Sequence, residues 1–337
     1  MIRISEQGAL QLNKLINLFS CILLFVAILP QNIYAETQSN NTALQKTPLT
    51  HNVFILSSSD NSHHISIVDN ILNDSNLKNE NIIVSVVPPD NKIDTIDHTT
   101  DIIIAIGRDG MISADKEYPD TKKLFISTDP HRYRLDKDIN KNDAILYMTQ
   151  PFCRQIGFIK HLNQDWKTIS ILNSQNKPVN AKTIQQCANS FDIKAYIVST
   201  TVKENLTNKI KHALNHSDVL LAHPDSTIYN RKNIKNILLT SYRYRKPVIG
   251  FSENFVTAGA LASINSDTEQ IAKSAIKLIA QYFSAGNRFS NHVNYPLDFD
   301  ININRQVSRA LNITIPDIDI LKSDTMQEGK RKKGESL

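Results

Sequence analysis

The chain has 337 residues, of which 41% are hydrophobic and 21% are charged, and its formal net charge is +5. This apolar content is enough for a substantial core, and the length predicts about two domains. Nine glycines and twelve prolines are too few for a collagen-like or wholly disordered chain. Because five of the basic residues lie in the last sixteen positions, the charge forms no broad basic surface, and no nucleic-acid partner is expected.

Residues 1–35 have the pattern of a secretory signal peptide. Arg3 and Lys14 give a positive start, and an almost continuous apolar run over 15–29 follows. This run is shorter than the roughly 20 residues that a membrane-spanning helix needs, so a retained anchor is the less favoured alternative. The sequence therefore predicts export to the periplasm, and the polar residues 36–50 are predicted to be a linker.

Short apolar runs alternate with helical patterns from residue 51 onward, which predicts βαβ units and parallel sheets. The predicted strands of the first series are Val53–Leu56, Ile82–Val87, Asp101–Ile106, Leu124–Ser127 and Ala144–Met148. Those of the second series are Thr168–Leu172, Ile193–Val198, Asp218–Ala222 and Val248–Phe251. Two successive series predict an α/β fold with two doubly wound lobes, over residues 51–149 and 150–252.

Two helix starts carry the capping-box spacing, in which a side-chain oxygen precedes Glu or Gln by three residues. These pairs are Thr201 with Glu204, and Asp267 with Gln270. We expect a helix to begin at each of them.

Two cysteines, Cys153 and Cys187, follow the predicted signal peptide. Each lies in a helix-like stretch, where a cysteine is commonly a small buried apolar side chain. An oxidising compartment would instead allow them to pair, provided that their Cα atoms lie within about 7 Å. The sequence leaves the choice between these two states open.

The end of the chain differs from the two regular series. Segment 253–321 contains a strand-like run at Ala262–Asn265, a long amphipathic helix and an alternating run at Asp298–Asn304. We expect this segment to return to the first lobe and to supply closing elements. Residues 322–337 are polar and aperiodic, and they are predicted to form a disordered tail.

Polar side chains follow the predicted strands in both lobes. In open parallel sheets, ligands bind beyond the carboxyl ends of the strands, at the switch point of the winding. The sequence therefore predicts a small polar ligand bound between the lobes. The candidate ligand-binding residues are Ser58, Ser59, Asp129, Gln150, Asp225, Ser252 and Glu253. For each of them the alternative is a helix cap or a turn.

The candidates have different expected partners on the ligand. Hydroxyls and backbone N–H groups at helix starts would hold a carboxylate, and the three serines are assigned to this role. Carboxylates would hold an ammonium group through charge-assisted hydrogen bonds, and Asp129, Asp225 and Glu253 are assigned to that role.

No catalytic motif is found in the sequence. It lacks a Gly-x-Ser-x-Gly elbow, a Walker loop and a Gly-x-Gly-x-x-Gly fingerprint, and Gly107–Gly110 is interpreted as a turn into a helix. The histidines at 63, 64, 131 and 223, with nearby aspartates, are not expected to hold a metal ion. The sequence predicts no enzymatic activity, no cofactor and no metal site.

Three segments in the last third of the chain resemble the ABC transporter substrate-binding protein family, and within it the tryptophan/tyrosine-type group. They are Asp218–Asp225, Ile237–Arg243 and Lys246–Ser252, and the resemblance continues through Phe255–Ile264 and Ile303–Pro316. The most specific parts are the Pro-Val-Ile-Gly and Ala-Gly-Ala sequences, in this order.

The resemblance implies a type I periplasmic-binding fold, in which two Rossmann-like lobes are joined by crossovers and close on a ligand. It implies a periplasmic protein that captures a small polar ligand, such as an amino acid, for ABC-type uptake by an inner-membrane permease. The first strand continues into Ser57–Asp60, where the tryptophan/tyrosine-type group has a His-Pro segment, so the chain resembles a divergent, shorter branch. The alternative function is a ligand-independent envelope accessory protein that contacts an outer-membrane receptor of an uptake system.

Overall fold

The structure is a computed structural model, and it describes most of the chain from residue 50 onward. The described residues are 50–57, 61–75, 77, 82–88, 90–93, 95–98, 101–127, 143–175, 178–201 and 204–331, with the side chains of 328–331 excepted. The predicted signal peptide and all but the last residue of the predicted linker lie outside these ranges, as do Ser58, Ser59 and Asp129.

Two six-stranded sheets form the framework of the described part. The first sheet contains β1 (His51–Ser57), β2 (Ile82–Val87), β3 (Ile102–Ile106), β4 (Lys122–Ser127), β5 (Ala144–Tyr147) and β11 (Val293–Asn294). The second contains β6 (Thr168–Ser174), β7 (Lys194–Thr200), β8 (Val219–Leu221), β9 (Val248–Gly250), β10 (Ala262–Asn265) and β12 (Asp300–Ile303). All nine strands predicted in the two series are present, which confirms the α/β class.

Both sheets have the same winding. Their strand orders are β2-β1-β3-β4-β5-β11 and β7-β6-β8-β9-β10-β12. Every pair is parallel except β10 with β12, which is antiparallel. The direction of winding reverses between β1 and β3 in the first sheet and between β6 and β8 in the second. Each reversal is a switch point, where the carboxyl ends of neighbouring strands leave a crevice.

Helices cover both sheets. They are α1 (Ser62–Leu72), α2 (Gly107–Glu117), α3 (Phe152–Leu162), α4 (Ala181–Asn189), α5 (Leu206–Asn215), α6 (Ile234–Arg243), α7 (Glu253–Thr257), α8 (Thr268–Ser284), α9 (Arg305–Ala310) and α10 (Ile318–Arg331). Within the described ranges, every helix is too short or too polar to cross a bilayer.

The apolar composition of the strands matches their burial between two layers of helices. In β3, all five residues of Ile-Ile-Ile-Ala-Ile are buried, as expected for a central parallel strand that is covered on both faces. Helices α1 and α8 pack their apolar residues on one face of the first sheet, while α2 packs Met111 and Ala114 on the other. Strand β11 was not predicted, because it has two residues and Val293 is exposed.

Helix α2 confirms the interpretation of Gly107–Gly110 as a turn into a helix. Gly107 has a φ of +69°, and a Cβ atom there would overlap the ring of His64. A Cβ atom at Gly110 would overlap the carbonyl oxygen of Leu56. Glycine at both positions lets the start of α2 approach β1 and α1 closely.

The two predicted helix starts have different outcomes. Asp267 and Gln270 form a complete capping box at the start of α8, as predicted. The Thr201–Glu204 prediction is wrong as a helix start, because α5 begins at Leu206 and Asn205 is its N-cap. The Glu204 carboxylate does accept a hydrogen bond from the Thr201 N–H (2.7 Å), but this contact closes a turn before the helix.

The segment 253–321 divides between the two lobes rather than returning wholly to the first. Helix α8 packs on α1 and β11 extends the first sheet, whereas β10 and β12 belong to the second sheet. Helix α10 packs on α3 of the second lobe, with Leu321 in the core of that lobe.

The prediction of a disordered tail from residue 322 is wrong as far as Arg331, where α10 ends. Thr325 is fully buried and its hydroxyl donates to the Leu321 carbonyl (2.7 Å), and Met326 packs against the core of the second lobe. The few apolar residues of this polar segment are spaced to face α3, and tertiary packing outweighs the polar composition.

A disulfide joins Cys153 in α3 to Cys187 in α4, with the two Cα atoms 5.0 Å apart. The two helices contact each other on the second sheet, which brings together two residues separated by 34 positions. The structure therefore resolves the choice that the sequence left open in favour of pairing.

Replacing both cysteines with serine should lower the melting temperature by several degrees. Cross-linking residues at this separation restricts the unfolded chain, and the stabilisation expected from loop-closure entropy is about 3–4 kcal/mol. Thermal unfolding followed by circular dichroism measures the effect. A reducing agent should lower the wild-type melting temperature by a similar amount and leave the double variant unchanged. A wild-type protein that is insensitive to the reducing agent would contradict the pairing.

Candidate functional site

A cavity of about 770 Å³ opens at the carboxyl ends of the strands, between the two lobes. The first lobe contributes the start of α1 and the segment after β5, and the second lobe contributes the segments after β8 and β9. The segment that joins β10 to α8 completes the wall. The lining residues are Ser62, His63, Ser66, Met148, Thr149, Pro224, Asp225, Ser226, Tyr229, Phe251, Ser252, Glu253, Asn254, Asn265, Ser266, Asp267 and Thr268.

Asp225 ties together the two strands that flank the switch point of the second sheet. Its side chain is 1% exposed, and its carboxylate accepts hydrogen bonds from the backbone N–H of Ser174 (2.7 Å), at the end of β6, and of Thr227 (3.0 Å). Its carbonyl oxygen accepts from the N–H of Tyr229 (2.7 Å). This is the turn alternative considered for Asp225, and its assignment to a ligand ammonium group stays a prediction.

The pKa of the Asp225 carboxyl is set by two opposing effects. Burial by itself raises the pKa, but the hydrogen bond from the Ser174 N–H, together with that from Thr227, stabilises the charged form more strongly. The pKa is therefore lowered from its ordinary value. Asp225 consequently stays ionised at neutral pH despite its burial.

Ser252 and Glu253 are less engaged than Asp225. Ser252 is the N-cap residue of α7, but its hydroxyl makes no capping hydrogen bond. Glu253 is exposed in the first turn of this helix, and no ion pair to its carboxylate is found among the described residues. Both side chains line the cavity, where their polar groups are available to a ligand.

An aromatic wall borders the cavity on the second lobe. The rings of Tyr229 and Phe251 line it, with their centroids 6.1 Å apart and nearly perpendicular. Behind them, Phe255 packs 5.7 Å from Tyr229 and 4.7 Å from Phe251. Burial, followed by the charge of Asp225, raises the pKa of the Tyr229 hydroxyl above its ordinary value, so this side chain is neutral.

The first lobe presents the start of α1 to the cavity. Asn61 is its N-cap, and the Asn61 side chain accepts hydrogen bonds from the N–H groups of His63 (3.0 Å) and His64 (3.3 Å). Ser66 forms a hydrogen bond of 2.8 Å with Thr268, which joins α1 to the start of α8 at the cavity wall.

Gln150 lies outside the cavity lining. It is 3% exposed, and its amide nitrogen donates to the Ser266 hydroxyl (2.6 Å), which in turn donates to the Asp298 carbonyl (2.6 Å). Arg154 donates to the Pro296 carbonyl (3.0 Å) and to the amide oxygen of Gln150. We call these contacts the hinge network, because Gln150, Ser266 and Pro296–Asp298 lie on the three segments in which the chain passes between the lobes.

The hinge network contains a half-buried positive charge, that of Arg154. Burial lowers the pKa of the Arg154 guanidinium, and the nearby Asp298 carboxylate opposes this effect, but an arginine stays protonated at any physiological pH. The guanidinium lies 5.4 Å from the ring centroid of Phe299. Lys322 from α10 also lies near the ring of Phe299, and it forms an ion pair with Asp298 (3.1 Å).

The structure thus separates the candidate residues that it describes. Asp225, Ser252 and Glu253 line one cavity, whereas Gln150 belongs to the hinge network. The sequence analysis missed Ser66, Tyr229, Phe251 and several further lining residues. Phe251 ends a predicted strand, so the strand-end rule could have found it, but Ser66 lies in the second turn of a helix and only the tertiary fold places it at the cavity.

Comparison with known proteins adds a family and a fold. The model of a family described as "ABC transporter substrate binding protein" matches residues 66–327. A search of the curated proteins finds no match.

Three solved structures have a similar fold. A conserved domain protein from Vibrio cholerae is 19% identical, with a TM-score of 0.51 over 81% of this chain and 98% of that one. An ABC domain from Streptococcus pneumoniae in complex with L-Trp is 17% identical, with a TM-score of 0.52 over 81% and 98%. A ligand-free, open substrate binding protein with adhesive properties from Clostridium difficile is 18% identical, with a TM-score of 0.55 over 80% and 96%. At such low identities, the structural similarity shows the fold alone. It confirms the two-lobed architecture of type I periplasmic binding proteins.

Asp225→Asn should destabilise the ligand-free protein, whereas Glu253→Gln should leave its stability unchanged. The two carboxylate oxygens each accept from a different backbone N–H, and an asparagine can accept from only one of these while its NH₂ group faces the other. We expect this to cost about 1–3 kcal/mol of unfolding free energy. Chemical unfolding of both variants measures the difference. Equal stabilities of the two variants would contradict the structural role of Asp225.

The contribution of Asp225 to the free energy of unfolding should also depend on pH. Its pKa in the folded state is lower than in the unfolded state, where it is about 3.9. Its stabilisation is therefore fully present above the unfolded-state value and is lost as the pH falls through the folded-state value. The difference in unfolding free energy between wild type and Asp225→Asn should shrink below about pH 4. A difference that is constant down to pH 2 would contradict this.

Arg154→Met should loosen the connection between the lobes. It retains an aliphatic side chain but removes the donors to Pro296 and to the buried amide oxygen of Gln150, and we expect a loss of about 1–3 kcal/mol. Small-angle scattering of the ligand-free protein should show a wider range of lobe separations. The matched control is Lys273→Met, which removes an exposed cation paired with Glu269 and should change neither quantity. Identical scattering and stability for wild type and Arg154→Met would contradict the proposed restraint.

Proposed function

We propose, from the premise that the chain belongs to the ABC transporter substrate-binding protein family, that it is a periplasmic solute-binding protein. It captures a small polar ligand in the cavity between its lobes for ABC-type uptake by an inner-membrane permease. The proposal includes no catalytic step and no cofactor, since the family binds substrates and does not transform them.

The observation that carries the proposal is the composition of the cavity wall. Residues of both lobes line one space at the switch points of two parallel sheets, where doubly wound folds bind ligands. Its volume, about 770 Å³, lies within the range of small-molecule sites. A ligand that contacts both lobes would favour the closed arrangement by its additional contacts there, with the hinge network as the pivot.

The lining supports a ligand that has an ammonium group and an apolar body. Among the described lining residues, the acidic groups are the carboxylates of Asp225, Glu253 and Asp267. The Asp267 carboxylate is engaged in its capping box, and that of Asp225 already accepts two backbone hydrogen bonds. Glu253 is therefore the best-placed partner for an ammonium group. Phe251 and Tyr229 would pack against the apolar body.

An amino acid or a similar molecule combines these groups with a carboxylate. We propose that hydroxyls at the helix starts bind this carboxylate, with Ser252 from the second lobe and Ser58 and Ser59 from the first. Asp129 remains a proposed further partner of the ammonium group. The similar protein from Streptococcus pneumoniae was crystallised with L-Trp, which supports a ligand of this size class.

The disulfide supports export of the protein. Such bonds persist in oxidising compartments and are rare in the cytosol, and Cys153 and Cys187 are close enough to pair. Together with the signal-peptide pattern of residues 1–35, this favours the periplasm as the location.

A thermal-shift screen tests the proposed function. Amino acids, peptides, sugars and purines are each added at millimolar concentration to the purified protein. A ligand that binds only the folded state raises stability by about 2.7 kcal/mol when its concentration is 100 times Kd, and this appears as a higher melting temperature. If no compound raises it, the solute-binding role is contradicted and the ligand-independent envelope protein becomes the favoured function.

Glu253→Gln should weaken binding of an ammonium-bearing ligand found in this screen by tenfold or more. A charge-assisted hydrogen bond contributes roughly 1.5–3 kcal/mol, and each 1.4 kcal/mol corresponds to about a factor of ten in Kd. The matched control is Glu269→Gln, because Glu269 also lies in the first turn of a helix but outside the cavity. Titration calorimetry measures both affinities, and an equal Kd for wild type and Glu253→Gln would contradict the assigned role.

A further inference from the structure

A pair of histidines lies on the second lobe, at the end of a helix. His212 is in the last turn of α5 and His216 is its C-cap residue, so the two are four residues apart and share one face of the helix. Both side chains are exposed. The prediction that the chain has no metal site considers the histidines at 63, 64, 131 and 223 and overlooks this spacing.

The two rings are at the separation that a shared metal ion requires. Their centroids are 4.5 Å apart, with an angle of 51° between the planes. Imidazole nitrogens bind Zn²⁺ at about 2.0–2.1 Å. In a tetragonal Cu²⁺ or Ni²⁺ site, neighbouring ligands lie roughly at right angles, and two imidazole rings at a similar metal–nitrogen distance then have centroids about 4.5 Å apart.

A hydrogen bond orients the ring of His216. Its Nδ1 atom lies 2.8 Å from the carbonyl oxygen of His212, so Nδ1 carries the proton and donates to that oxygen. The lone pair of Nε2 is then available. Histidine ligands of metal ions commonly have this arrangement, in which the second ring nitrogen donates to a backbone carbonyl and fixes the tautomer.

The end of the helix itself favours a cation, and one of the nearby lysines is neutralised by an ion pair. The carboxyl end of a helix carries unsatisfied carbonyl groups and a partial negative charge. Of the lysines in this region, Lys209 is paired with Glu204 (2.7 Å). Lys194 lies over the ring of Tyr196, 5.0 Å from its centroid.

We propose that His212 and His216 form a surface binding site for a divalent transition metal ion, with water completing its coordination. Two imidazole ligands follow the general order of affinity Cu²⁺ above Ni²⁺, and Cu²⁺ above Zn²⁺. Helix α5 runs antiparallel to β8, the strand that follows it. Its carboxyl end therefore lies near the amino-terminal ends of the strands of the second sheet, whereas the cavity lies at their carboxyl ends. The metal site and the ligand cavity are therefore separate, and each can fail without the other.

Calorimetric titration of the untagged protein with CuCl₂ and NiCl₂ tests the site. We expect one ion per chain, bound more tightly for Cu²⁺. His212→Ala and His216→Ala should each weaken binding by tenfold or more, because the second imidazole binds an ion that is already held by the first. The control is His98→Ala, which removes another exposed histidine and should leave the affinity unchanged.

Electron paramagnetic resonance of the Cu²⁺-loaded protein gives a second measurement that folding defects would not imitate. Wild type should show two coordinated imidazole nitrogens and each single variant at most one. Unchanged affinity in His212→Ala and His216→Ala would overturn the proposal, as would a signal from a single imidazole in wild type.

Discussion

The geometry of the cavity depends on how three crossings of the chain are held together. The two sheets are separate, and the chain passes between them after β5, after β10 and after β11. Gln150, Ser266 and the carbonyl groups of Pro296 and Asp298 bring these crossings into one hydrogen-bonded network. The Gln150 amide is buried here, and both its nitrogen and its oxygen are hydrogen-bonded, since an unpaired buried polar group costs about 1–3 kcal/mol or more. The crossings therefore have few alternative arrangements.

This constraint explains why residues distant in sequence share one cavity wall. Once the crossings are fixed, the carboxyl ends of both sheets face each other, and α1 of the first lobe lies opposite the turns after β8 and β9. Asp225 performs a similar task within the second lobe, where it links the ends of β6 and β8. The hinge network and the Asp225 carboxylate both form hydrogen bonds to backbone groups. Such bonds restrict the position of a segment more than apolar packing does.

The sheets could be predicted from the sequence because each strand carries its own signal. Buried parallel strands are short continuous apolar runs, as Ile102–Ile106 illustrates, and no knowledge of neighbours is needed to find them. The strand-end rule also selected Asp225, Ser252 and Glu253, and these three residues line the cavity. It did not separate Gln150 from them, because a polar residue after a strand faces either a ligand or another crossing, and only the tertiary fold distinguishes these. Helix α10 was missed because most of its residues are polar and exposed, and they dominate its composition. The few residues that pack it onto the second lobe, such as Thr325, are recognisable only from the tertiary fold.

The crossings also determine when each lobe can be completed during synthesis. The second lobe draws five of its six strands from the continuous stretch between α3 and β10, and both cysteines lie within this stretch. The first lobe is discontinuous, because α8 and β11 come from beyond residue 265. As the chain emerges from its amino terminus, β1 to β5 appear first but lack the helix that covers one of their faces. The second lobe can thus form five strands and its disulfide while the first still exposes apolar surface. Its own sheet and core are completed only by β12 and α10, which follow the completion of the first lobe by α8 and β11.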